Sequence, residues 1–466
     1  MGLRHNIGWA RRLGPVVAFS WLLGCASVHN LPVNVPANGS VVDQLHLGFK
    51  DVADQDDLLI GLSFSGGGTR AAAFSYGVLS EFDQIQVPRA QDKLLDRLDF
   101  ISGVSGGSVM AAYYGLKKRA ALTDFRERFL LQNAEAELQT TLSVSTLGRA
   151  LSGGINDSVG FTNWLDRHLF HGATYGDFRA VGPPRVWINA SDIYNRVPFV
   201  FGATAFTAIC SDLTKFPLSN AVAASAAVPI AFAPVVVEAF PDKCHDPLPS
   251  WITRSAANRN ASPMLRSFAS AILRYREGKV PYIKLLDGGL VDNYGLAGFT
   301  ISRESSDTPY GPLTPEQAVK LRRSMFLVVD AKAGLSGDWT RTVDGPNGVE
   351  LVKAAIDTTI DASVGASYTA FERTMSDWQS ALVKWRCGLS AAERARYGAK
   401  PGWNCHDLKF FVGRVGFDQL DPARAAELGN VPTRFNLPQQ QVDEVIVAGR
   451  DAVHINPTLK AFLASM

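Results

Sequence analysis

The sequence has almost no excess of charge of either sign, and it contains no internal repeat or long low-complexity tract. Its 46 basic and 44 acidic residues leave a formal net charge of +2. A chain so close to neutral gives no reason to expect a nucleic-acid partner. Hydrophobic residues make up 46% of the chain, which supplies enough apolar surface for a large core. The composition therefore indicates an ordinary globular protein.

Cysteine is also scarce, with five residues in the chain and no C-x-x-C pair among them. The ligand spacing of a structural zinc site is missing, so we expect no metal. After Cys25 four cysteines remain, and an exported, oxidising setting permits disulfides between them. Proximity in the sequence suggests Cys210 with Cys244 and Cys387 with Cys405, although other pairings are open.

The N-terminus is typical of an export signal rather than of a folded element. A basic stretch precedes an apolar run over 13–23, which is too short for a confident membrane span. The run ends in Leu22-Leu23-Gly24-Cys25, which resembles the lipobox of bacterial lipoproteins, where the cysteine becomes the lipidated N-terminus. Ala26 follows, which in such lipoproteins implies the outer membrane. We expect a lipid-anchored envelope protein. The alternatives are an ordinary signal peptide, with secretion if Cys25 is not lipidated, or a membrane anchor with an incidental cysteine.

The chain divides into four segments by composition. We expect a signal peptide over 1–25, and a tether over 26–57 that is rich in Pro, Asn, Gly and Asp. An α/β catalytic core is expected over 58–335. The remainder, 336–466, has helical periodicity without an assignable motif, and is expected to form a helical extension packed on the core.

The core alternates short apolar runs, glycine turns and helical patterns. This order predicts a central, mostly parallel sheet flanked by helices. Each predicted strand has polar or glycine residues at its carboxyl end, where ligands of open α/β sheets collect. The predicted strands are 58–64, 98–101, 186–190, 282–286 and 325–330.

The turn Gly103-Val104-Ser105-Gly106-Gly107 matches the G-x-S-x-G pattern of a nucleophile elbow. A serine nucleophile needs a sharp, strained turn between strand and helix, and glycines on both sides remove colliding side chains. The following helix directs its N-terminal N–H groups at the site and favours developing negative charge. The alternative is a glycine-rich turn without catalysis.

A second glycine turn, Ser65-Gly66-Gly67-Gly68-Thr69-Arg70, lies between a predicted strand and helix. Three glycines can present backbone N–H donors to a phosphate or to an oxyanion. The nucleotide-binding patterns G-x-x-x-x-G-K-[ST] and G-x-G-x-x-G are absent, which favours an oxyanion hole. Arg70 is a candidate for binding a phosphate headgroup, with bracing of the loop or a surface ion pair as alternatives.

The serine requires a base, and Asp287 is the better of two candidates. It ends an apolar run and precedes Gly288-Gly289, so a strand would deliver it to the active edge of the sheet. Burial can raise its pKa enough for it to act as a base. His454 has the chain order of an α/β-hydrolase histidine but lacks a loop to present it. A turn aspartate that caps a helix is the non-catalytic alternative for Asp287.

Taken together and in order, these three blocks resemble the patatin-like phospholipases. Two further stretches support the resemblance, Ile188-Asn189-Ala190-Ser191-Asp192 and 223–229. With the N-terminal pattern, the chain looks like a bacterial lipoprotein-type member. It departs from many members at Ala71, where they have glycine, and a local packing difference is expected because a helix accepts alanine better.

The resemblance implies a Ser105–Asp287 dyad, an oxyanion hole at Gly66, Gly67 and Gly68, and no metal or other cofactor. It also implies a patatin-like α/β fold and a lipid acyl hydrolase of the phospholipase A or lysophospholipase type, working on phospholipids at a membrane surface. Two other functions stay open, namely a serine esterase or peptidase for non-lipid substrates, and a non-catalytic lipid-binding lipoprotein.

Overall fold

A computed structural model describes residues 30–41, 57–88, 90–136, 138, 154–335, 337–341 and 343–466. The strands are β1 Leu58–Phe64, β2 Phe100–Val104, β3 Arg185–Asp192, β4 Val197–Val200, β5 Val235–Glu238, β6 Tyr282–Asp287, β7 Arg323–Asp330 and β8 Lys409–Gly416. The helices are α1 Gly68–Phe82, α2 Gly106–Lys117, α3 Ala121–Phe125, α4 Ser158–Leu165, α5 Tyr175–Val181, α6 Ala203–Ile209, α7 Leu218–Ser225, α8 Ser250–Ala257, α9 Pro263–Arg276, α10 Gly289–Asp292, α11 Ala297–Glu304, α12 Pro315–Lys320, α13 Gly348–Cys387, α14 Ala391–Arg396, α15 Pro422–Gly429, α16 Gln439–Ile455 and α17 Pro457–Ala464.

The described strands form one sheet in the order β5-β6-β3-β2-β1-β7-β8, with β4 paired to β3. The five strands from β3 to β8 in this order run parallel. Toward the other edge of the sheet, β4 and β6 run antiparallel to β3, and β5 runs antiparallel to β6. β1 lies at the centre and is buried along its whole length, as expected for a strand covered by helices on both faces. The predicted α/β class with a mostly parallel sheet flanked by helices is confirmed.

Two glycines bring helix α1 and the C-terminal helix α16 into close contact. A Cβ on Gly77 would lie 2.2 Å from the carbonyl oxygen of Ile446, and a Cβ on Gly449 would lie 2.4 Å from that of Phe74. The backbones of the two helices therefore approach each other more closely than larger side chains permit. Since α1 begins at Gly68, this packing fixes the helix that carries the glycine turn.

The C-terminal part of the chain contributes a strand as well as helices. β8 pairs in parallel with β7 along its full length, from Arg323 opposite Lys409 to Asp330 opposite Gly416. The long helix α13 packs against α10, α11 and β8. The sheet thus continues into the region predicted to be helical.

The four cysteines in the described ranges form two disulfides between neighbours in sequence. Cys210 is bonded to Cys244, and Cys387 to Cys405. In the part of the chain that the structure describes, no helix is both long enough and apolar enough to cross a bilayer. Cys25 and the rest of the predicted export signal lie outside the described residues, as does most of the predicted tether.

Candidate active site

Ser105 stands at the turn between β2 and α2, where the backbone adopts φ 50° and ψ −124°. Positive φ is unfavourable for a residue with a side chain, and such strained conformations cluster at functional sites. Ser105 directly precedes Gly106, the first residue of α2, so the N-terminal end of the helix dipole faces this residue. The geometry is that of the elbow predicted from the sequence.

The elbow and the glycine turn after β1 touch each other through their backbones. A Cβ on Gly106 would lie 1.9 Å from the carbonyl oxygen of Gly68, and a Cβ on Gly107 would lie 2.5 Å from that of Ser65. Side chains at these positions would separate the two turns. Their glycines therefore bring the Gly66–Gly68 segment against the serine.

Asp287 ends β6 and lies beside Ser105, although a strand separates β6 from β2. It pairs with Ala190 on the intervening strand β3, and its carboxylate lies close enough to the Ser105 hydroxyl for the two groups to interact. The backbone N–H of Gly289 donates to its Oδ1 at 2.8 Å. Burial raises the pKa of Asp287 to about 6, and the interactions with Gly289 and Ser105 oppose that rise. A carboxylate with such a pKa is a stronger base than an exposed aspartate.

Ser225, the last residue of α7, connects the two candidate catalytic residues, and no catalytic motif in the sequence predicts this role. Its hydroxyl accepts from the backbone N–H of Ser105 at 2.9 Å and donates to the carbonyl of Asn189 at 2.6 Å. Its own carbonyl accepts from the N–H of Gly288 at 3.1 Å. The turn that follows α7 contacts Asp287 directly, because the N–H of Asp287 donates to the carbonyl of Ala227. The signal for Ser225 in the sequence is its place in the stretch 223–229, which supports the family resemblance.

The glycine turn presents two backbone donors rather than three. Gly67 and Gly68 have φ of 143° and 60°, a region in which glycine is favoured. The N–H of Gly66 donates to the carbonyl of Asn293 at 3.2 Å, and that of Thr69 donates to Arg434 at 2.8 Å. Among the described residues, the N–H groups of Gly67 and Gly68 have no acceptor. These two remain available to an oxyanion, whereas Gly66 is engaged in this structure.

Arg70 is buried, with 2% of its surface exposed, and it braces the glycine turn. Its Nε donates to the carbonyl of Ala331 at 2.9 Å, and its Nη1 donates to that of Val431. Burial lowers the pKa of Arg70 to about 10, against the opposing effect of Asp330. Of the alternatives open from the sequence, this geometry matches the bracing role and not a headgroup site or a surface ion pair.

Histidine takes no part in the hydrogen bonds of this site. His454 is exposed in the last turn of α16. No histidine of the described ranges is hydrogen-bonded to Ser105 or Asp287. The described residues contain one group with metal-ligand spacing, Cys387, Cys405 and His406. The sulfur atoms of Cys387 and Cys405 are bonded to each other, so they cannot serve as thiolate ligands.

One family model and several solved structures are similar to this chain. The family model described as patatin-like phospholipase matches residues 62–300, just over half of the chain. Human GIVD cytosolic phospholipase A2 is similar at 13% identity and TM-score 0.41, with 91% of this chain and 65% of that chain covered. VipD from Legionella pneumophila is similar at 12% identity and TM-score 0.23, with coverage of 92% and 73%. No curated protein matches this sequence.

Proposed function

The chain belongs to the patatin-like phospholipase family, and from that premise we propose that it is a serine hydrolase of lipid acyl esters. The observation that carries the proposal is the juxtaposition of the Ser105 hydroxyl, on its strained turn, with the buried carboxylate of Asp287. A nucleophile beside its base, with unused N–H donors nearby, is the arrangement that acyl transfer requires. Phospholipids and lysophospholipids are the proposed substrates, and no metal or other cofactor is needed.

In the proposed mechanism, Asp287 takes the hydroxyl proton as Ser105 attacks the ester carbonyl. The N–H groups of Gly67 and Gly68 stabilise the oxyanion, aided by the N-terminal end of α2. The proton then passes from Asp287 to the departing alcohol, which leaves the fatty acid esterified to Ser105. Water attacks this ester, Asp287 accepts its proton, and the fatty acid is released as the proton returns to Ser105.

The test is fatty-acid release by the purified protein from mixed phospholipid micelles, with and without a chelator. Ser105→Ala and Asp287→Asn are each expected to lower the rate by about 10³-fold or more. The controls are Ser80→Ala and Asp307→Asn, whose side chains lie outside the site. Equal loss in the controls, or activity that survives Asp287→Asn, would contradict the proposed dyad.

The alternatives predict other outcomes of the same assay. A non-lipid esterase or peptidase would cleave short soluble substrates and gain nothing from a long acyl chain. A lipid-binding lipoprotein would release no product and would bind lipid unchanged after Ser105→Ala. Loss of release on chelation would contradict a metal-free reaction.

We also propose that the protein is exported and anchored to the outer membrane through lipid on Cys25. The basic and apolar N-terminal pattern supports this location, and two disulfides are typical of an oxidising compartment. Metabolic labelling with a fatty acid is expected to mark the wild-type chain and not Cys25→Ser. Labelling of both proteins, or of neither, would contradict the anchor.

A further inference from the structure

The side chain of Asn293 lies between the candidate nucleophile and the candidate base, and the mechanism above gives it no role. A Cβ on Gly66 would lie 2.4 Å from Asn293 Oδ1 and 3.3 Å from the Cβ of Ser105. A Cβ on Gly289 would lie 2.7 Å from the same Oδ1 and 3.1 Å from Asp287 Oδ1. The amide oxygen therefore borders the two glycines that adjoin Ser105 and Asp287.

The amide group has a definite orientation in this space. Its oxygen is nearer than its carbon to both glycines, since Cγ lies 3.5 Å and 3.4 Å from the positions of those two Cβ atoms. The oxygen thus points at the Cα–H groups of Gly66 and Gly289, which are weak donors suited to an acceptor. The NH₂ group of Asn293 is directed away from both glycines.

This NH₂ group has no acceptor within the described ranges of the chain, and the residue is only half-buried. The backbone of Asn293 has an ordinary helical conformation, with φ −68° and ψ −14°. Its carbonyl binds Gly66 N–H, a bond that any residue at this position could make. The local backbone therefore does not require an asparagine side chain, and two amide donors are left for a ligand.

We infer that Asn293 is a catalytic donor whose amide holds the hydrolytic water beside Asp287 during release of the fatty acid. The inference rests on the proposed acyl hydrolase function. The amide borders Gly289, whose N–H binds Asp287, whereas Gly67 and Gly68 are the donors proposed for the oxyanion. Water held by an N–H donor keeps its own protons free for the carboxylate.

The step balances with water as its co-reactant. The water oxygen forms a bond to the acyl carbon of the Ser105 ester while one of its protons passes to Asp287. The bond between the acyl carbon and the Ser105 oxygen then breaks, and the proton on Asp287 moves to that oxygen. Asn293 donates a hydrogen bond throughout and neither gains nor loses a proton.

The experiment separates formation of the acyl-enzyme from its hydrolysis. The wild-type chain, Asn293→Ala and Asn293→Ser are treated with a p-nitrophenyl ester of a long-chain fatty acid. In a separate reaction they are treated with a fluorophosphonate, which phosphonylates the serine with loss of fluoride and is not turned over. Asn430→Ala is the control, since Asn430 also follows a helix in helical conformation and lies exposed on the surface. Thermal unfolding of each variant checks that it is folded.

For Asn293→Ala we expect a burst of about one p-nitrophenol per protein at the wild-type rate, followed by steady turnover lowered about 10²-fold. An acyl adduct on Ser105 accumulates and is seen as a mass increase. Added hydroxylamine, a stronger nucleophile than water, restores turnover more in this variant than in the wild type. Asn293→Ser retains a hydrogen-bond donor, and its steady turnover is expected to lie between those of the wild type and Asn293→Ala.

Two results would overturn the inference while the proposed function stands. One is wild-type burst and turnover in a folded Asn293→Ala. The other is an equal slowing of the burst and of fluorophosphonate labelling, which would place Asn293 before the acyl-enzyme. A wild-type chain that neither reacts with the fluorophosphonate nor releases p-nitrophenol would refute the proposed function and this inference with it.

Discussion

At the scale of single residues, the charge of Asp287 governs the proposed chemistry. The carboxylate accepts a proton only in its ionised form, and burial raises its pKa from 3.8 to about 6. Activity is therefore expected to rise with pH through about 6 and to fall toward zero as the group becomes protonated below it. The measurement is kcat/KM between pH 4.5 and 8 with a short soluble ester, whose own charge does not change in that range.

The pH at the midpoint of this rise in activity identifies the base. A midpoint near 4 would mean that the carboxylate is solvated in solution, contrary to its burial. A pH dependence unchanged in the residual activity of Asp287→Asn would point to another group, such as a histidine. His454→Ala serves as the control and is expected to keep the wild-type profile.

Ser225 is expected to hold the nucleophile in position without contacting the substrate. Ser225→Ala leaves the buried N–H of Ser105 and the buried carbonyl of Asn189 without their partner, at a cost of about 1–3 kcal/mol in the free energy of unfolding. We expect kcat to fall about tenfold with KM nearly unchanged, because a displaced nucleophile affects chemistry rather than binding. Steady-state kinetics and thermal unfolding measure the two effects.

A matched control distinguishes positioning from general loss of stability. Ser302 also donates its hydroxyl to a backbone carbonyl, that of Gly298 at 2.7 Å, but it lies outside the site. Ser302→Ala should leave kcat unchanged. If Ser225→Ala loses stability but keeps full kcat at a temperature where it is folded, its role is structural alone.

The sequence predicted which residues meet in this site better than it predicted what each can do. Ser105 and Asp287 follow from strand ends and glycine turns, which are local patterns. The engagement of Gly66 by Asn293 and the burial of Arg70 against Val431 depend on residues far apart in the chain. No local pattern records such contacts, so the number of free donors and the role of the arginine required the structure.

At the scale of elements, buried strands were easier to predict than exposed or half-buried ones. The uniform apolar run of β1 was predicted with its observed limits, Leu58–Phe64. β8 was missed because its pattern is weak, with exposed, intermediate and buried positions and two glycines in Lys409–Gly416. Gly365 lies within α13, which is continuous across it, because one glycine costs only about 1 kcal/mol in a helix.

The crossing of α1 and α16 gives a prediction about elements. Gly449→Ala places a methyl group 2.4 Å from the Phe74 carbonyl oxygen and 3.1 Å from the Val78 nitrogen, so the helices must separate. Overpacking of this kind costs about 1–3 kcal/mol, and kcat is expected to fall because α1 carries the glycine turn. The control is Gly365→Ala, which meets no atom within 4 Å and is expected to raise the melting temperature. Equal effects of the two substitutions would contradict the close packing.

At the scale of the whole molecule, the C-terminal part of the chain completes the site. The family model ends at residue 300, yet the carbonyl of Arg434 accepts from Thr69 and that of Val431 accepts from Arg70. A Cβ on Gly68 would lie 2.6 Å from the Arg434 oxygen. The glycine turn is therefore held in shape by a segment that lies beyond the matched region.

Glu135 fixes that segment and gives the last prediction. Its Oε1 accepts from the Phe435 N–H at 2.7 Å, and its Oε2 accepts from Arg434 Nη2 at 2.8 Å. Because Arg434 in turn binds the glycine turn, Glu135→Ala is expected to lower kcat/KM for a phospholipid about tenfold or more by loosening the oxyanion donors. The control is Asp443→Asn, since Asp443 binds Arg126 across the same two regions but does not touch the turn. It should change stability slightly and keep kcat/KM, because an exposed ion pair contributes about 0–1 kcal/mol. Full activity in a folded Glu135→Ala would mean that the glycine turn keeps its shape without the contacts from Glu135 to Arg434 and Phe435.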